Sequence, residues 1–187
     1  MMASSTSDLT RRKALAWTAF WKLEKIWKSS SISIATKVKL FNSTCVTVLL
    51  YGCDSWILSS DMENKINAFA TSCYRIMLNI KRLDCVSNAR IYQMTNTQPL
   101  VNTVRQRQLR FLGHILRMPE DEPCKRYALF EPKHGRRRPG RQRTSYISYI
   151  QNLLGDVDHY LQPANITALA NDRSAWRKLV VACSAAE

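Results

Sequence analysis

The chain has 187 residues, enough for one domain or two small ones, and 45% of them are hydrophobic, which excludes wholesale disorder. Lys and Arg number 28 against 14 acids, a net charge of +14, so an anionic partner is favoured over a basic or uncharged one. Five glycines and six prolines argue against a turn-rich β fold, and no apolar run of about 20 residues spans a membrane.

Taken in order, residues 1–7 are small and polar and read as a frayed end. Asp8 is placed to cap a helix over 9–28, with Leu9, Ala16, Phe20, Leu23 and Trp27 on one stripe and Trp17 and Trp21 widening it. Arg11, Lys22 and Lys25 flank that stripe as a solvated face. Ser29, Ser30 and Ser31 break the helix. The next element, 34–50, has Ile34, Val38, Phe41, Cys45, Val48 and Leu49 at helical spacing, which outweighs the β-branched run at its end. Gly52 closes it, and Tyr51 and Trp56 are expected to plug the end of a helix pair.

Ser60 and Glu63 form a predicted capping box for a helix to about residue 79, with Met62, Ile66, Phe69, Cys73, Ile76 and Met77 inward. A linker over 81–85 leads to a short helix anchored by Ile91, Tyr92 and Met94. Thr97 and Pro99 then start a helix that stops at Met118, before Pro119. Its apolar arc holds Val104, Leu109, Phe111, Leu112, Ile115, Leu116 and Met118. Arg107, Arg110, His114 and Arg117 form a basic row on the other side, where His114 can donate a hydrogen bond to a phosphate. One or two turns are expected around Tyr127, Leu129 and Phe130. Gly135, Pro139 and Gly140 bracket Arg136, Arg137, Arg138, Arg141 and Arg143, which reads as an extended arm. A helix from Thr144 or Ser145 buries Ile147, Ile150, Leu153 and Leu154 and ends at Gly155. Residues 156–165 read as irregular, and a last helix over 166–182 breaks near Asn171 and buries Leu169, Trp176, Leu179 and Val180.

The chain thus reads as a mainly α fold, an irregular helical array with a basic Gly/Pro/Arg-rich arm and no substantial sheet. The stretch from Val104 to Arg143 carries twelve basic residues against four acids, which concentrates the charge on one helix face and the arm. That pattern suits the phosphate backbone of RNA or DNA. Catalytic metal chemistry needs paired carboxylates, and Asp54 stands alone while Glu120, Asp121 and Glu122 lie in one exposed turn. His114, Cys124 and His134 lack the close spacing of a zinc site, and no glycine loop suits a phosphate. No catalytic residue, metal or cofactor is expected. The six scattered cysteines without a CxxC read as reduced thiols of an intracellular protein.

Four segments together resemble the C-terminal region of LINE-type, non-LTR retrotransposon endonuclease–reverse transcriptases. KLFNSTCVTVLLYGCDSW resembles the family's LLYG-x-x-x-W segment, which follows the polymerase palm, and RQRQLRFLGHILRMP its Q-L-R-W/F-L-G-H stretch. GRRRPGRQRTSYI and ANDRSAWRKLV resemble its G-x-R-x-x-G-R-P and closing D-R-x-x-W-R segments, in the same order. The matched positions are Tyr51, Gly52 and Trp56, Gln108 to Met118, Gly135 to Arg143, and Asp172, Arg173, Trp176 and Arg177. Asp54 stands where the family has Glu, and Thr144 where it has an aromatic, with Tyr146 the nearest ring.

The resemblance implies a thumb-like helical region over 8–80, a basic helical region over 81–134, the arm at 135–143 and C-terminal helices over 144–187. It implies a fragment of an RNA-directed DNA polymerase that grips template RNA or target DNA, partners a palm, works in the nucleus and does not polymerise by itself. The alternative is an interaction module whose arm is a nuclear-import signal or docks on an acidic protein.

Overall fold

The computed structural model describes residues 5–128, 146–155 and 163–185. Eleven α-helices account for most of them, and no strand occurs among the described residues, so the fold is mainly α. In chain order these are α1 (Ser5–Trp21), α2 (Glu24–Lys28), α3 (Ile34–Phe41), α4 (Thr47–Leu49), α5 (Ser60–Met77) and α6 (Asn88–Thr95), then α7 (Leu100–Leu116), α8 (Pro123–Ala128), α9 (Tyr146–Gly155), α10 (Pro163–Asn171) and α11 (Arg173–Ala185). The chain divides into two compact units, one of Met1–Gly52 with Leu58–Val101, the other of Cys53–Ile57 with Asn102–Glu187.

In the first unit the expected helix over 9–28 is two helices. The Phe20 carbonyl accepts both the Leu23 amide at 3.0 Å and the buried Trp27 indole Nε1 at 2.7 Å. It is thereby diverted from the i+4 bond that would continue α1, and the chain turns at Lys22–Leu23. Asp8 does not cap the helix, which starts at Ser5; its carboxylate pairs with Arg12 one turn on. Ser33 caps α3 by accepting the Thr36 amide. The stretch 34–49 is helical, as its spacing predicts, but widens to a π turn over Asn42–Val46. Ser43 and Thr44 hydroxyls donate back to the Leu40 carbonyl there, competing with the backbone ladder.

The predicted capping box at Ser60 is displaced by one residue: Ser59 caps α5 through the Met62 amide. Asn79, in the left-handed region at φ 55°, ends α5, and the Ile80 amide returns to the Arg75 carbonyl. In α6 Ile91 is buried, but Met94 is 41% exposed and Thr95 takes the inner position instead. The Val101 amide at the start of α7 is satisfied by the Asn67 side chain.

The core of this unit is aromatic. Phe20 stacks on Trp27 at 5.0 Å and meets Phe41 edge-on, and Phe41 in turn packs on Phe69 and Tyr74. Burial pushes the Tyr74 hydroxyl up to about 12. Lys37 is buried with its Nζ donating to the Trp27 carbonyl at 2.8 Å, a cation capping the C-terminal end of α2. Trp17 and Trp21 do not both face inward: Trp21 keeps 48% of its surface exposed. Tyr51 is 66% exposed under the Arg12 guanidinium, which lies 4.4 Å from its ring centre, so it plugs nothing.

The second unit is organised on α7. Leu109, Leu112 and Leu116 pack with Ile150 and Leu154 of α9, Ile166 and Ala170 of α10, and Trp176, Leu179, Val180 and Cys183 of α11. The expected break near Asn171 falls at Asp172, whose Oδ1 accepts the amides of Ser174 and Ala175 and opens α11. Helix α10 starts at Pro163, inside the stretch expected to be irregular, with Pro at a first-turn position that needs no amide. In α8 Tyr127 is exposed and Lys125 is buried. Leu129, Phe130 and the whole arm, 135–143, lie outside the described residues.

Cys45, Cys53, Cys73 and Cys183 are buried and Cys85 and Cys124 exposed, all as free thiols. Thiol titration of native protein at pH 8 should therefore give a fast phase from Cys85 and Cys124, and a slow one that merges with it in denaturant. A single fast phase for all thiols would contradict this packing.

Candidate nucleic-acid interface

Helix α7 carries the predicted basic row and is held by buried polar contacts on its inner side. Gln108 is fully buried. Its Nε2 donates to the carbonyls of Cys53 at 3.1 Å and Trp56 at 2.8 Å, and its Oε1 accepts the Tyr149 hydroxyl at 2.9 Å. One amide side chain thus joins the Cys53–Ile57 segment, α7 and α9. The Tyr146 hydroxyl donates to the Asp54 carbonyl at 3.0 Å, and burial with the nearby Asp54 charge pushes that hydroxyl well above the usual tyrosine range.

Further along α7, Gly113 lies under the Trp176 indole, whose Nε1 donates to the Leu109 carbonyl at 3.0 Å. Leu109 is one turn before Gly113, so the indole rests on the helix backbone where a side chain is missing. Lys125 caps the other end: its Nζ donates to the carbonyls of Leu116 and Met118 and pairs with Glu120 at 2.6 Å. Only 7% of its side chain is exposed, so this residue of the basic stretch neutralises the C-terminal end of α7.

The four residues of the row separate by role. Arg107 is half-buried and hydrogen-bonds the Cys53 thiol. Burial and the Asp54 charge push that thiol up to about 11 against the opposing pull of Arg107. Arg117 is half-buried and donates through Nη1 to the Ala170 carbonyl at 2.8 Å, in the last turn of α10. Arg110 and His114 are exposed. Arg173, Arg177 and Lys178 of α11 are exposed as well, around the buried Trp176. Arg136, Arg137, Arg138, Arg141 and Arg143 lie outside the described residues. Among the described residues no three of His, Cys, Asp or Glu come together as a metal site, and no helix is long and apolar enough to cross a membrane.

Sequence reasoning missed Gln108, Tyr149 and Lys125 as structural residues. Gln108 offered a signal, a polar side chain between Leu109 and the apolar position Val104 on α7's inner side; Lys125 offered none.

The raised Cys53 pKa has a consequence for stability. The native state keeps the proton where the unfolded thiol has lost it, so this contribution is present below the usual thiol value and is lost as pH rises through about 11. Melting temperature should fall from pH 8 to pH 11, and less steeply in Cys53→Ala; an equal slope in the two would refute the assignment.

Comparison with known proteins gives two matches. A family model described as a domain of unknown function, DUF6451, matches residues 19–51, from the end of α1 through α4. A putative uncharacterized transposon-derived protein of Caenorhabditis elegans is 22% identical over 183 residues, an alignment that covers 92% of this chain and 63% of that protein. No solved structure matches. The chain is similar, across nearly all of its length, to a longer transposon-derived protein.

Proposed function

We propose that this chain is a nucleic-acid-binding part of a non-LTR retrotransposon RNA-directed DNA polymerase, related to its C-terminal thumb and post-thumb region. In this reading it grips the phosphate backbone of RNA or DNA and supplies no catalytic centre of its own. The observation that carries the reading is the division along α7. Gln108, Leu109, Leu112 and Gly113 fix the helix from inside, and Arg110 and His114 face solvent beside a stretch with twelve basic residues. The similarity to a transposon-derived protein over 92% of the chain supports the same origin. Nuclear localisation belongs to this proposal, since the nucleic acid that such a polymerase writes into is there.

Salt dependence of binding tests it. Each phosphate contact contributes roughly 0.7 to 0.9 to the slope of log affinity against log salt. Replacing Arg136, Arg137, Arg138, Arg141 and Arg143 with Ala should lower the slope by at most about 3 to 4, with little effect on folding. Arg110→Ala should lower it by about one contact and leave stability unchanged, whereas Arg117→Ala should also destabilise, because it leaves the Ala170 carbonyl unpaired. Sequence preference should be weak. If the five-Ala variant keeps the parent slope, the arm is not a phosphate contact and the import-signal reading takes its place.

The same proposal expects no nucleotide incorporation on a primed RNA template by the purified chain, because its sequence offers no carboxylate pair for two metal ions. Incorporation that survives removal of contaminating polymerases would overturn it.

A further inference from the structure

We infer that the outer face of α1 and the turn after it form a stacking site for the bases of single-stranded nucleic acid, centred on Trp21. The site lies in the first unit and uses none of the residues of the proposal above. It shares with that proposal only the class of partner.

Three observations meet there. First, an indole is held out in water: Trp21 is 48% exposed, while Trp27 in the same unit is buried. An exposed indole loses the burial that makes tryptophan favourable, so packing does not explain it. Second, the ring is held in place. It stacks on Trp17 at 6.1 Å and 18°, and Phe20 meets it edge-on at 5.5 Å. Trp17 in turn sits edge-on to Phe69 at 4.9 Å. The platform is therefore anchored in the aromatic core and needs little ordering on binding. Third, the charge around it suits a polyanion. Lys13, Trp17 and Trp21 follow one another at four-residue spacing along α1, and Lys22 and Lys25 come next in the chain, both exposed. The two acids of this stretch, Asp8 and Glu24, pair with Arg12 and Lys28 one turn on. Lys13, Lys22 and Lys25 keep their charge uncompensated by a carboxylate among the described residues.

Aromatic rings flanked by lysines bind unpaired bases by stacking and their phosphates by charge, with little sequence preference. A duplex keeps its bases stacked on one another and cannot use the ring. A protein partner would need an acidic surface with an apolar centre; the exposed ring set among uncompensated lysines fits a base and its flanking phosphates directly.

The test uses the full chain and three probes: a deoxythymidine oligomer of roughly 20 nucleotides, an abasic strand of the same length and a duplex. The oligomer should quench tryptophan fluorescence. Trp21→Ala should remove most of that quenching and weaken oligomer binding about 5- to 100-fold, while leaving abasic-strand and duplex binding unchanged. Trp21→Phe should retain part of the affinity. Lys22→Ala with Lys25→Ala should instead lower the salt slope for both single strands, by roughly 0.7 per residue. Unchanged oligomer affinity in Trp21→Ala, or an equal loss for oligomer and abasic strand, would overturn the inference. Should Trp21→Ala lose its helical circular dichroism, Trp21→Phe and the lysine pair decide, and full parental binding in both would overturn it. Arm and α7 variants that leave the salt slope unchanged would sink the earlier proposal without touching this one.

Discussion

Gly113→Ala should destabilise the second unit by about 2–4 kcal/mol, although alanine is the better helix former. A β-carbon at this position would come within 2.2 Å of the Trp176 Nε1 and 2.7–2.8 Å of its neighbouring ring carbons. Neither side can give cheaply. The glycine lies on the backbone of a helix packed into the core, and the indole is buried and hydrogen-bonded to the Leu109 carbonyl. Overpacking of this kind costs about 1–3 kcal/mol, and displacement of the indole adds the loss of its hydrogen bond. The sign should reverse once the ring is removed. Trp176→Ala alone should cost about 3–5 kcal/mol as a large-to-small core change. On that background Gly113→Ala should stabilise by about 0.8–1 kcal/mol, the ordinary helix propensity difference. Urea melts of the two single variants and the double variant measure this coupling directly. A stabilised Gly113→Ala in the parent chain would mean that Trp176 does not rest on α7 as described.

Where a residue's place follows from its near neighbours in sequence, the chain announces it. The spacing of Ile66, Phe69, Cys73 and Met77 is that of a buried helix stripe, and these residues are buried in α5. The break expected near Asn171 falls one residue on, at Asp172, whose carboxylate caps α11. The failures occur where a distant group overrides the local rule. The turn at Lys22–Leu23 is made by the Trp27 indole, seven residues from the carbonyl it takes, and no helix propensity reveals it. Trp21 falls on the edge of the apolar stripe, yet its ring is 48% exposed. The basic row was legible as a row, because three- and four-residue spacing fixes a helix face. Its division was not: Arg117 is engaged by a carbonyl 53 residues away and Lys125 by the end of α7, and both were counted from sequence with the free charge. The resemblance motifs held information of another kind. Gly113 and Trp176 touch in the second unit, and Gln108 bonds the Trp56 carbonyl there, so these residues build its interior.

The Gln108 junction sets the second large effect. Gln108→Leu keeps the volume and removes both donors and the acceptor, leaving the Cys53 and Trp56 carbonyls and the Tyr149 hydroxyl without this partner. Each hydrogen bond lost at this buried site costs about 1–1.5 kcal/mol, so the variant should lose roughly 3–5 kcal/mol in total. Adding Tyr149→Phe to Gln108→Leu should cost less than Tyr149→Phe costs in the parent chain, because the bond to Gln108 is already gone, so the pair is less than additive. Gln108→Glu separates charge from shape. The ionised carboxylate would face the Cys53 and Trp56 carbonyls with acceptors only, in a fully buried site, so burial and those carbonyls should raise its pKa. Protonated, the same group keeps one donor for a carbonyl and an acceptor for Tyr149. A carboxyl held neutral in the native state binds more protons than in the unfolded chain, so its stability falls as pH rises. Gln108→Glu should therefore be distinctly less destabilised at pH 5 than at pH 8, whereas the penalty of Gln108→Leu should be nearly the same at both. Denaturant midpoints at the two pH values decide it: a pH-independent Gln108→Glu penalty, or a cost below about 1 kcal/mol for Gln108→Leu, would mean that this amide does not carry the junction.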